Sequence, residues 1–125
     1  MQISLRETKV EKLEFYRIEE LPKEDSIELG YSSGFSNDHG TSFIISFNLS
    51  LKSKEGFNLS IEYIAFFETD EELTEEFKNS HFTKENAPAI AYPFLRSFIS
   101  TLTVNSGYGA VLLPTINFHA MANQE

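Results

Sequence analysis

The sequence has no cysteine, little positive charge, and a last third almost free of ionised side chains. Without cysteine there is no disulfide framework, no thiolate nucleophile and no cysteine-ligated metal, which fits a reducing cytoplasm. Ten Lys plus Arg against nineteen Asp plus Glu leave a net charge of −9. That balance argues against nucleic acid or an anionic membrane as partner and makes a basic surface the natural complement. The first residues, MQISLRETKVEKLEF, carry charges throughout and no apolar core of signal-peptide length. A soluble, cytoplasmic chain is expected. The charge-poor stretch from Glu85 to Phe118 is interrupted by Pro93, Arg96 and Pro114, so it is no membrane span and direct membrane insertion is not expected.

Catalytic signatures are missing as well. The histidines His39, His81 and His119 lie far apart in different kinds of segment, without the spacing of a metal site. Gly107-Tyr108-Gly109 lacks the strand, third glycine and helix of a phosphate loop, and no serine sits in a nucleophile elbow. Asn48-Leu49-Ser50 and Asn58-Leu59-Ser60 match a glycosylation pattern inside strand segments and read as chance matches. No enzyme, no metal and no cofactor are expected.

What is present is patterning. The length and the 41% hydrophobic content fit one domain, residues 1–125, without repeats or a composition break. Ile27, Leu29, Tyr31, Ser33 and Phe35 alternate with small or polar residues. Phe43, Ile45, Phe47, Leu49 and Leu51 do so more strongly, and Phe57, Leu59, Ile61, Tyr63, Ala65 and Phe67 resume the period after a turn at Ser53–Gly56. The apolar residues of the first twenty positions follow no clean period, and a strand is placed at Lys9–Glu19, followed by a turn or crossing loop at Leu21–Asp25. Four such strands make an antiparallel sheet with one apolar face. Ile64 and Phe66 fall on the other face, whose far end is expected to be covered by an oligomer or client contact. Ser36–Gly40 breaks the strand pattern. Thr69-Asp70-Glu71-Glu72 has capping-box form and predicts a short helix through about Ser80, its acids forming a solvated face.

The long helix is the distinctive element. It is predicted to start with Asn86 as its cap, to tolerate Pro88 in the first turn, to bend at Pro93, and to stop at Gly107. Ile90, Phe94, Phe98 and Leu102 form one row at i+4 spacing, and Ala91, Leu95 and Ile99 form the adjacent one. Between Asn86 and Gln124 the only Lys, Arg, Asp or Glu is Arg96. A helix so poor in charge is normally buried on more than one side, so a second copy of the chain is expected to cover it through Ile90, Leu95, Phe98, Ile99 and Leu102. Bottom-up, the reading is an oligomeric α+β protein with apolar and aromatic surface to hide.

Ala91-Tyr92-Pro93-Phe94-Leu95-Arg96 and Leu112-Leu113-Pro114-Thr115-Ile116-Asn117-Phe118 resemble two signatures of the SecB family of protein-export chaperones. These are an aromatic-Pro-aromatic-x-Arg run in the long helix and a Leu-Pro-Pro-hydrophobic-Asn-Phe run after it. The resemblance spans about Lys9 to Met121, with its specific motifs in the last third. It implies an α+β fold, a four-stranded antiparallel sheet with a long C-terminal helix and short helices, assembled as a dimer of dimers, a homotetramer. It further implies an ATP-independent chaperone that holds unfolded precursor polypeptides in apolar grooves and passes them to the ATPase SecA. Tyr92, Phe94, Tyr108, Leu112, Leu113, Ile116 and Phe118 are the candidate client-binding residues, with groove exposure expected above all for Tyr108, Leu112 and Leu113. Glu62 is the candidate for partner docking. This sequence departs from the pattern in two places: Thr115 replaces the second proline, and only seven residues, His119–Glu125, follow Phe118. A chaperone dedicated to one partner, such as an antitoxin, and a small-molecule-binding α+β domain are the alternatives.

Overall fold

A computed structural model describes residues 2–36 and 40–122; His39 and most of the Ser36–Gly40 break lie outside the described residues. The strands β1 (Ile3–Arg17), β2 (Ser26–Phe35), β3 (Ser42–Ser53) and β4 (Phe57–Thr69) form one antiparallel sheet in the order β1-β4-β3-β2. Short α1 (Glu75–Lys78) leads through a π-helical turn (Phe82–Asn86) into the long α2 (Ala87–Asn105), and short α3 (Phe118–Ala122) follows a loop.

The two central strands alternate as expected because one face of each is covered by helix and loop: Ile45, Phe47, Ala65 and Phe57 have no exposed surface. Edge strand β1 begins at Ile3, earlier than expected, and explains its own irregular pattern. Bulges between Leu5 and Glu7 and between Val10 and Lys12 each insert a residue and reverse the in/out parity. Leu5, Thr8, Val10, Leu13 and Phe15 therefore all pair with inward residues of β4, although their numbers switch from odd to even and back.

Because β1 and β2 lie on opposite edges, the Ile18–Asp25 segment must cross the end of the sheet. It is fastened to the β3–β4 hairpin by Ile18 N–H to the Gly56 carbonyl at 2.9 Å and Lys54 N–H to Asp25 Oδ1 at 2.9 Å. Gly56 has φ +101°, and a Cβ there would meet the Leu21 side chain at 2.9 Å. The positive φ of the turn is what requires glycine at this point, since the exposed Leu21 side chain could move aside.

Two expected helix starts are corrected. Thr69 ends β4, with its hydroxyl on the Thr41 and Glu71 carbonyls, and α1 is capped instead by Thr74, which accepts from Phe77 N–H at 3.1 Å. Asn86 is already helical, with φ −70° and no side-chain cap bond, because the π-helical turn runs straight into α2 and supplies Ala87 N–H with the Phe82 carbonyl. The other end is as expected. Gly107 takes φ +95°, Tyr108 N–H reaches the Thr103 carbonyl at 3.0 Å, and Gly107 N–H reaches that of Val104 at 3.1 Å, a Schellman closure.

The two apolar rows of α2 do different work. Ala91, Leu95 and Ile99 have no exposed surface and pack on this chain's own sheet, each of the larger two contributing about 1.5–3 kcal/mol of burial. The expectation that Leu95 and Ile99 face a second subunit is thereby corrected: they have no surface left to offer one. Ile90 and Phe94 are 42% and 50% exposed, and Phe98 and Leu102 are partly buried, Phe98 lying against the Tyr63 ring at 5.9 Å. Val10 and Leu13 of β1, on the same face of the sheet, are also exposed.

Candidate functional site, an open hollow and an exposed loop

The end of the sheet nearest the crossing segment carries an open hollow of about 570 Å³, lined by Ile18, Leu21, Glu55, Gly56, Gly107 and Tyr108 among others. Below Tyr108 lie two more rings: Phe57 at 4.5 Å and Phe15 at 5.9 Å, with Phe15 and Phe57 stacked at 5.1 Å. These three rings come from β1, the start of β4 and the loop after α2; Tyr108 reaches the hollow, while Phe57 is fully buried and supports Tyr108 from below. Leu21 stands 61% exposed on the crossing segment.

The loop between α2 and α3 starts at the rim of this hollow with Gly107 and Tyr108 and is fixed to the scaffold at four points. Gly109 N–H donates to Glu55 Oε1 at 3.1 Å, and Val111 N–H to Thr103 Oγ1 at 3.0 Å. Arg96 Nε donates to the Leu113 carbonyl at 3.1 Å, and Tyr92 Oη to that of Pro114 at 2.6 Å. Irregular backbone lacks the regular partners of a helix or sheet, and these side chains supply them. The result is that Leu112 is 77% exposed while Leu113, one residue on, is 1% exposed.

Beyond the loop, Phe118 anchors α3 in a ring cluster, with Tyr31 at 5.2 Å, Tyr92 at 5.5 Å and Phe47 at 6.5 Å. Asn117 caps the short helix by accepting from Ala120 N–H at 3.0 Å. His119 contacts the Glu85 carboxylate, tying α3 to the π-helical turn. A further open hollow of about 580 Å³ lies between α3 and the β2 edge, lined by Leu29, Tyr31, Lys84 and Met121 among others.

Of the residues proposed from sequence, Tyr108 lines the hollow, Leu112 is exposed, and Ile116 is partly buried. Leu113 is corrected, since it turns inward, and Tyr92 and Phe118 are likewise buried behind the wall. These three have almost no surface for a client to touch. Phe94 points outward from α2 and is not among the hollow's lining residues. Sequence reasoning missed Leu21 and Glu55, which only the crossing of the chain brings to the hollow. Glu62 is exposed on the other face of the sheet, opposite Lys12 and Asn48. On that face Ile44, Ile64 and Phe66 are partly buried, and Phe66 and Ile44 line an apolar hollow of about 530 Å³ beside the Arg6–Glu68 ion pair.

Burial raises the Tyr92 hydroxyl above its ordinary pKa of 10.0, against the opposing pull of Arg96, so it remains a donor at neutral pH. Among the described residues no group of three His, Cys, Asp or Glu has metal-binding geometry, and no helix is long and apolar enough to cross a membrane.

The profile of the SecB family, described as preprotein translocase subunit SecB, matches residues 9–125. The chain belongs to the SecB family. A protein-export protein SecB of Anaplasma phagocytophilum is 35% identical over 71 residues, 55% of this chain and 44% of that relative. An uncharacterised protein of Methanocaldococcus jannaschii is 29% identical over 122 residues, 90% of this chain and 77% of that one. Among solved structures, the fold resembles the Mycobacterium tuberculosis SecB-like chaperone Rv1957 in complex with a ChAD peptide from the HigA1 antitoxin. That match has TM-score 0.70 and 14% identity and covers 91% of this chain and 87% of that one. A Streptococcus agalactiae protein of unknown function has TM-score 0.56 and 13% identity, covering 92% of this chain and 98% of that one. The matched residues include all of α2 and the loop from Gly107 to Asn117.

Proposed function

We propose that this SecB-family chain is a cytoplasmic, ATP-independent chaperone subunit that holds unfolded polypeptides by their apolar side chains. The observation that carries this reading is the apolar surface left open to solvent: Leu21 and Tyr108 at the open hollow, and Leu112, 77% exposed on the loop that Tyr108 begins. Hydrophobic attraction is non-directional, so an apolar channel binds unfolded segments with little sequence preference. Copies of the chain associate through the uncovered side of α2 and β1, where Ile90, Phe94, Val104, Val10 and Leu13 are exposed. Two such contacts build the family's dimer of dimers, and precursor clients pass from it to SecA by way of the sheet's other face, where Glu62 lies. The purified protein is expected to delay aggregation of a chemically unfolded client without nucleotide. Failure at several-fold molar excess would overturn the reading.

A chaperone dedicated to one partner is the second reading, favoured by the structural likeness to a SecB-like chaperone bound to an antitoxin peptide. Pull-down from the native host separates the two, many precursors supporting general holding and one stoichiometric small protein supporting dedication. A small-molecule site is the weaker reading, since an enclosed pocket ringed by polar groups would support it and the hollow here is open.

A further inference from the structure

The loop after α2 presents one leucine and hides the next, and the groups that decide between them are side chains of the helix itself. Arg96 is the only ionised side chain between Asn86 and Gln124. Among the described residues it pairs with no acid: its Nε serves the Leu113 carbonyl and its guanidinium lies 6.0 Å from the centre of the Tyr92 ring. Tyr92 in turn serves the very next carbonyl, that of Pro114. Pro114 has no N–H and a fixed φ, so the segment cannot complete a regular helix or ladder at this point. In extended chain, successive side chains point to opposite sides, so fixing two consecutive carbonyls fixes the rotation of the backbone. On the other side of Leu112, Val111 N–H is held by Thr103 of the same helix.

We propose that Arg96 and Tyr92 are positioning residues of the loop after α2, a clamp that locks it in the rotation that presents Leu112 and buries Leu113. The proposal rests on client holding as the function of the exposed apolar surface that includes Leu112. A leucine on a free loop folds back onto the nearest apolar surface, whereas one bracketed by fixed backbone on both sides stays out and loses little freedom when a client covers it. Ordering one side chain and its loop on binding costs about 0.5–1.5 kcal/mol, so loosening the clamp weakens binding by about 2- to 12-fold.

The test measures binding of fluorescein-labelled, reduced and carboxymethylated α-lactalbumin, a permanently unfolded chain, together with amide hydrogen exchange across residues 112–117. The variants are Tyr92→Phe, Arg96→Gln, Arg96→Lys, Leu112→Ser and the double variant Tyr92→Phe/Leu112→Ser. Tyr92→Phe and Arg96→Gln are expected to speed exchange in the loop and weaken binding by the stated factor, with Arg96→Lys partly restoring both. The double variant should bind no worse than Leu112→Ser alone, because the clamp acts through Leu112. Unchanged loop exchange in both Tyr92→Phe and Arg96→Gln overturns the clamp. So do losses that multiply in the double variant, as they would if Tyr92 served only the stability of the fold. A wild-type protein that binds no unfolded chain overturns client holding itself and the clamp's role with it, an outcome distinct from the other two.

Discussion

Thr103, wholly buried near the end of α2, accepts a hydrogen bond from Val111 N–H at 3.0 Å while its hydroxyl donates to the Ile99 carbonyl at 2.9 Å. One hydroxyl thus ties the last turn of the helix to the loop that returns over it. Thr103→Val keeps the shape and removes the acceptor, leaving the Val111 amide without it. The expected cost is about 1–3 kcal/mol in urea unfolding, while Thr103→Ser should lose less. Equal stability of Thr103→Val and wild type would show that water replaces the bond.

The neighbouring leucines should part company on mutation. Leu112→Ser touches a side chain that is 77% exposed and should stay within about 0.5 kcal/mol of wild-type stability. Leu113→Ala empties a site with 1% exposure and should cost about 2–5 kcal/mol. Client binding should follow the opposite order, with Leu112→Ser weakening it about tenfold or more, since covering a leucine is worth about 1.5–3 kcal/mol. Denaturant curves and fluorescence titration read the two effects separately.

A charge on the outward side of α2 should act on assembly and not on the fold. Phe94→Asp places its carboxylate on a surface already half exposed in one chain, so the chain should remain helical by circular dichroism while light scattering shows a smaller mass. Leu95→Asp puts the same charge against the sheet at a position with no exposed surface and should unfold the protein, because no partner awaits it. A folded Leu95→Asp chain would contradict this packing.

The Tyr92 clamp gives a signature at alkaline pH. Its folded pKa is raised by burial above the unfolded value of 10.0, so the folded state holds the proton more tightly than the unfolded one. The stabilisation is fully present below pH 10.0 and is lost as pH climbs through the folded pKa, where the phenolate can no longer donate to Pro114. Above that point wild type should lose more stability than Tyr92→Phe, which lacks the group. Parallel pH–stability curves for the two would sink this assignment.

The central strands were readable before any coordinates because each has a neighbour on both sides and one face against helix and loop, which forces strict alternation from Phe43 to Leu51 and from Phe57 to Phe67. The family signatures in α2 and its loop, and the stop at Gly107, were readable for a similar reason: backbone geometry there depends on residues adjacent in sequence. Strand β1 hid its pattern because two bulges reverse its parity, and a bulge leaves no mark in composition. The helix starts were misplaced because Thr69 and Thr74 both have capping chemistry, and only the end of β4 decides which is free to cap.

Local order therefore fixed the strands, the long helix and its scarcity of charge, since these depend on neighbours within a few residues. Two adjacent apolar rows on α2 look equivalent along the chain, and only their placement against the sheet buries Leu95 and leaves Phe94 outside. The ring cluster under Tyr108 joins Phe15 and Phe57 to it across long separations, and the choice of Leu112 over Leu113 rests on carbonyls reached from Arg96 and Tyr92. Those relations come from where the chain crosses itself, and periodicity along a sequence carries no record of crossing.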